Sequence, residues 1–126
     1  MIVGIGTDIV RIDRLAAGLR RFGVRYAARI LSAAERAEFA VSRDPAHFLA
    51  KRFAAKEATA KALGTGFRGG FGFADIAITH DAYGCPQLVL EAGARRLAGC
   101  RGARRWHVSL SDDAAYAVAF VVLETG

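Results

Sequence analysis

"FAAKEATAKALGTG", Phe53 to Gly66, sits at the end of the best-signed helix in the chain. Asp44 can cap that helix, Pro45 suits its first position, and Gly64 suits the left-handed residue after its end. With Arg52 at zero and a step of roughly 100° per residue, Leu49, Phe53, Ala60 and Leu63 fall in one arc of about 20° to 100°. That arc is the natural core face. Lys56 falls inside it at about 40°, Arg52 lies at its edge, and Glu57 lies just beyond at about 140°. A helix that only packs would set its charges opposite. These charges therefore point to a ligand, and the cations among them to a phosphate.

Working outward, "MIVGIGTDIV" alternates Val3, Ile5, Thr7 and Ile9 against Ile2, Gly4, Gly6, Asp8 and Val10, which predicts a strand. "RIDRLAAGLRRFG" carries Ile12, Leu15, Leu19 and Phe22 at helical spacing. Ser32 and Glu35 have the form of a capping box, so a helix is expected from Ala33. "GTGFRGGFG" reads as a loop. "DIAITH" and "PQLVLE" read as strands, followed by a short helix over "EAGARRLAG". "WHVSLS" and "AYAVAFVVL" form the last pair, turning at Asp112 and Asp113. Helices gather early and strands late, which predicts an α+β fold with a mainly antiparallel sheet packed against the long helix. No long linker or repeat divides the chain, so residues 1–126 read as one domain.

The 126 residues are 53% apolar and carry a formal net charge of +6. That composition excludes a disordered chain, and the charge favours an acidic or phosphorylated partner. Cys85 and Cys100 have no metal-ligand spacing, and with no secretory segment they indicate free thiols in the cytoplasm. No apolar run approaches the roughly 20 residues that span a bilayer, so no membrane association is expected.

"GIGTDI" lacks the third glycine of a dinucleotide fingerprint, and no Gly-Lys-Ser/Thr follows. Gly4 and Gly6 instead suit close packing over the strand. Glu57 and Lys61 form an i,i+4 pair, which an exposed surface would explain by itself. It would not explain Lys56 and Arg52. Two separated carboxylates, Asp8 and Glu57, with Lys and Arg nearby suit Mg²⁺ completed by waters and substrate phosphates. No serine or cysteine stands in a nucleophile motif, which favours metal-assisted phosphoryl-type transfer with the nucleophile on the substrate. His47, His80 and His107 lie too far apart in sequence to make a site. Arg11, Arg14, Arg20, Arg21 and Arg25, offset only by Asp13, suit a docking surface for an acidic partner. Two other functions use the same features: a nucleic-acid-binding domain and a metal-dependent hydrolase of nucleotide pyrophosphates. The first gives Asp8 and Glu57 no role.

With "GIGTDIVRIDR", "RILSAAE", "FLAKRFAAKEATAKALGTG" and "WHVSLSDDAAYAVAFVV" in this order, the chain resembles the holo-[acyl-carrier-protein] synthases, the short bacterial 4′-phosphopantetheinyl transferases. The resemblance implies that fold, as a homotrimer with sites at the subunit clefts. It implies Mg²⁺ between Asp8, Glu57 and the pyrophosphate of coenzyme A. A serine of the acidic apo acyl carrier protein attacks the β-phosphate, 3′,5′-ADP leaves, and Lys61 helps neutralise the transition state. It also implies coenzyme A contacts at Arg52, Lys56, Lys61, Gly64, Thr65, Pro86, His107 and Ser109. Arg14, Arg21 and Arg25 meet the carrier protein, and nucleic acid has no part. Two residues depart from the family: Cys85 stands where lysine is common, and Asp112 where many members have histidine.

Overall fold

The first strand, β1 (Ile2–Arg11), runs straight into helix α1 (Ile12–Phe22), and α2 (Val24–Ile30) and α3 (Ala33–Ala40) follow. This computed structural model describes residues 1–126. The long helix α4 (Pro45–Ala62) comes next, then strands β2 (Ile76–His80) and β3 (Pro86–Leu90), helix α5 (Ala92–Cys100), and strands β4 (Arg105–Asp112) and β5 (Tyr116–Glu124). β5 lies between β1 and β4, antiparallel to both, while β2 and β3 pair in a separate hairpin. The strands thus divide into two sheets where the sequence suggested one. The indole N–H of Trp106 donates to the Leu88 carbonyl at 3.0 Å and ties the hairpin to β4.

α4 is the axle of the molecule. Leu49, Ala54, Ala55, Ala58, Ala60 and Leu63 are fully buried, on more than one side of the helix. A single core face was the wrong frame for it. Its alanines exist because the sheet comes so close: a Cβ on Gly6 would collide with the Ala58 carbonyl, and one on Gly4 with the Ala62 carbonyl. Ala117 and Ala119 of β5, both fully buried, continue this small-residue floor. Close approach of helix to sheet is what glycine and alanine permit.

The caps form as the sequence implies. Asp44 Oδ1 accepts from the His47 backbone N–H at 3.3 Å, Pro45 stands in the first turn, and Gly64 has φ of +87°. Ser32 and Glu35 complete their capping box. The arginine-rich segment is broken at Gly23, whose φ of +65° no β-branched or charged residue adopts cheaply. The glycine-rich stretch holds two 3₁₀ turns, Gly66–Arg68 and Phe73–Asp75, stabilised by Phe67 stacked on Phe73 at 4.3 Å and Phe53 on Phe73 at 5.7 Å.

Candidate active site

The close packing of β1 on α4 sets Asp8 beside the last two turns of that helix. Asp8 shares the inner face of the strand with Gly6 and Val10, and its side chain is 15% exposed. Lys61 Nζ donates to Asp8 Oδ1 at 3.1 Å and to the Thr7 carbonyl at 2.9 Å, so its partner is Asp8 and not Glu57. Glu57, one turn earlier, is half-buried and has no hydrogen bond or ion pair within the chain. Burial and then the negative charge of Asp8 push its carboxyl above the ordinary range, with Lys61 and Arg14 acting against them. The residues predicted as the catalytic core therefore converge. No group of three or more acidic, histidine or cysteine side chains is placed to hold a metal ion by itself, here or elsewhere in the chain. Two carboxylates with open surroundings fit Mg²⁺, which keeps waters and takes phosphate oxygens, and do not fit an all-protein metal cage.

Lys56 has a different role from the one its position on the helix suggested. Its side chain is fully buried, and Nζ donates to Glu35 Oε1 at 2.7 Å, to the Ile30 carbonyl at 2.7 Å and to the Phe73 carbonyl at 3.0 Å. An ammonium has three donors, so none remains for a phosphate. Burial lowers its pKa, and the Glu35 carboxylate opposes that shift. Arg52 is nearly as buried, with Nη2 donating to Glu38 at 2.8 Å and Nε lying 3.0 Å from Glu35 Oε2 off the hydrogen-bond direction. Its guanidinium also covers the Phe48 ring at 4.4 Å. Glu35 is the hub: it further accepts from the Ser32 and Ile78 backbone N–H groups at 2.9 and 3.0 Å. Sequence reasoning located Glu35 as a cap but not as the buried counter-ion. The signal was there, since a lysine inside a core arc demands a buried carboxylate.

The remaining residues separate. Arg52 and Pro86 line a cleft of about 300 Å³ with Lys51, His80 and Asp112, between α4, the β2–β3 turn and the end of β4. Gly64 is exposed and Thr65 half-buried, its hydroxyl donating to the Gly66 carbonyl at 2.7 Å. His107 and Ser109 stand on the outer face of the sheet, in register with Val122 and Phe120. Asp8 is on the inner face. Asp8 and His107 therefore lie on opposite faces of one sheet.

Arg14, Arg21 and Arg25, joined by Arg29, rim a groove of about 810 Å³ floored by Phe22, Tyr26, Phe53 and Phe73. None of the four pairs with a carboxylate. Arg14 lies over Phe53 at 5.3 Å and Arg21 over Phe22 at 5.1 Å. Arg14 also acts on the Glu57 titration, so groove and carboxylates adjoin.

The chain is 52% identical over 124 residues to the holo-[acyl-carrier-protein] synthase of Laribacter hongkongensis, covering 98% of this chain and 99% of that one. The crystal structure of the Neisseria meningitidis holo-[acyl-carrier-protein] synthase superposes with a TM-score of 0.92 at 45% identity, over 98% of this chain and 99% of that one. The holo-(acyl-carrier-protein) synthase of Bacillus anthracis, solved in complex with CoA (3′,5′-ADP), gives a TM-score of 0.83 at 37% identity, over 100% and 99%. The family model described as the 4′-phosphopantetheinyl transferase superfamily matches residues 4–121. The chain belongs to the 4′-phosphopantetheinyl transferase superfamily.

Proposed function

We propose that this enzyme transfers the 4′-phosphopantetheine group from coenzyme A to a serine hydroxyl of an apo acyl carrier protein. The observation that carries the reading is the meeting of Asp8 and Glu57 beside Lys61, with Glu57 left without a partner in the chain. Similarity to holo-[acyl-carrier-protein] synthases over nearly the whole length supports the substrates. Asp8 and Glu57 hold Mg²⁺, which supplies Lewis-acid charge to the pyrophosphate. Lys61, half-exposed and with one donor left beyond Asp8 and the Thr7 carbonyl, offers it to the same phosphates and offsets the charge that grows on the leaving group. The serine oxygen forms the new bond to the β-phosphorus, the bond from that phosphorus to the bridging oxygen breaks, the hydroxyl proton is released, and 3′,5′-ADP departs.

Coenzyme A then runs past Gly64 and Thr65 and past Pro86, meeting His107 and Ser109 of a neighbouring copy. The outer face of the β1–β5–β4 sheet supports a homotrimer: Ile5, Ile9 and Phe120 are 61%, 63% and 46% exposed on it. So much contiguous apolar strand surface is a mark of an interface. The unpaired arginines of the groove receive the acidic carrier protein. Arg52 belongs to the wall of the nucleotide cleft, with its charge already balanced by Glu35 and Glu38.

The test is to incubate the protein with coenzyme A, Mg²⁺ and apo carrier protein and to weigh the carrier. Gain of one phosphopantetheine group is the expected result. Cleavage of coenzyme A without carrier would establish hydrolysis instead. Asp8→Asn and Glu57→Gln should each lower transfer by roughly 100-fold or more with the fold intact by circular dichroism. Near-normal transfer by either variant overturns the metal assignment.

A further inference from the structure

His47, in the first turn of α4 and next to the cleft-lining Phe48, reaches the β4–β5 turn. Its Nδ1 lies 2.8 Å from Asp44 Oδ2, and its Nε2 lies 3.1 Å from the Asp113 carbonyl. Both partners are acceptors. A neutral imidazole has one N–H and satisfies only one of them, so this geometry belongs to the doubly protonated ring. The turn it holds is a stiff unit, because Asp113 Oδ1 accepts from the backbone N–H groups of Ala115 and Tyr116 at 2.8 and 2.7 Å. On one side of that turn, Leu110 and Asp112 form one wall of the cleft; Phe48, Lys51 and Arg52 of α4 form the other. His47 sits one residue before Phe48. A bond from this ring to the turn therefore joins the elements that carry the two walls.

We infer that His47 is a positioning residue, an ionic clasp that in its protonated form holds the β4–β5 turn against the start of α4 and fixes the width of the nucleotide cleft. This rests on the reading above that coenzyme A lies along Pro86 in that cleft. The charged groups facing the ring are the Asp44 carboxylate from the helix cap, the Asp112 and Asp113 carboxylates from the turn, and Lys51 one turn along α4, acting on Asp44; the Asp113 carbonyl is the neutral acceptor among them. The Asp113 bond raises the imidazole pKa most; burial comes next and opposes it, and Asp44 and then Asp112 add to the rise, leaving the ring above its ordinary value. The sign follows: the clasp is complete below the ordinary histidine value and is lost as pH rises through the elevated folded value. His80, lining the same cleft, shifts the other way through burial and Arg52. Its titration is common to every variant below.

The experiment compares wild type, His47→Arg and His47→Gln by calorimetric titration of 3′,5′-ADP from pH 5.5 to 9, with an NMR titration of the imidazole in the free protein. Arginine keeps charge and several donors at every pH. The ratio of wild-type to His47→Arg affinity cancels the titration of the nucleotide phosphates and of His80. It should fall about fivefold as pH rises, the size of one lost hydrogen bond. His47→Gln should bind weakly, with no such step. A constant ratio overturns the positioning role alone, as does an imidazole midpoint at or below about 6.5. Absence of nucleotide binding at any pH, with the imidazole midpoint still elevated, overturns the proposed function and the positioning role with it.

Discussion

Asp8 and Glu57 influence each other without touching. Removing the Asp8 charge should lower the Glu57 pKa towards the ordinary carboxylate value, and Lys61→Met should raise it, because the two neighbours act with opposite sign. Carboxyl NMR of the metal-free Asp8→Asn and Lys61→Met proteins reads both shifts, and equal midpoints in all three proteins would mean the side chains are too far apart to share an ion. Lys56 makes the opposite kind of prediction. Lys56→Met leaves the Glu35 carboxylate buried with only Arg52 beside it, at a cost of roughly 3–5 kcal/mol. Urea unfolding should show that loss, while the Michaelis constant for coenzyme A in the folded fraction stays near wild type. A rise in that constant with full stability would restore the phosphate role. From the sequence, the neighbourhood of Asp8 and Lys61 was legible only with the whole pattern in view, since Glu57 and Lys61 alone read as a surface i,i+4 pair. The burial of Lys56 and Arg52 against Glu35 was missed because the wheel of one helix does not contain the residue on another helix that neutralises them.

Among the elements, the extents of β1 and α4 were readable, since alternation, caps and glycine punctuation all agree there. What the strings of letters could not give was the depth of α4, which is packed from several sides and so lacks one apolar stripe. The split into two sheets was hidden too, because pairing between distant strands leaves no local mark. The helix–sheet contact carries its own test. Gly6→Ala forces a methyl group against the Ala58 carbonyl and should cost about 1–3 kcal/mol, with activity falling as Asp8 moves off Lys61. An unchanged urea midpoint would deny that closeness. In the arginine groove, reversing charge at Arg14, Arg21 or Arg25 should raise the Michaelis constant for the carrier protein and leave that for coenzyme A unchanged. The effect should shrink with salt over a Debye length of about 8–10 Å. Movement of both constants together would remove the docking role.

For the whole molecule, the proposed trimer makes stability depend on protein concentration. Phe120→Arg places a charge at the centre of the exposed outer face, between Thr7 and Ser109, and should yield monomers by sedimentation with little transfer activity. A fully active monomer would contradict the shared site. The separation of Asp8 and His107 onto opposite faces of one sheet also has a genetic meaning. An Asp8→Asn chain keeps a sound outer face, and a His107→Ala chain keeps a sound inner one. Co-expressed in equal amounts and mixing at random around a ring, the two dead alleles should complement each other, with about one junction in four pairing an intact face from each. Alleles damaged on the same face should never rescue one another.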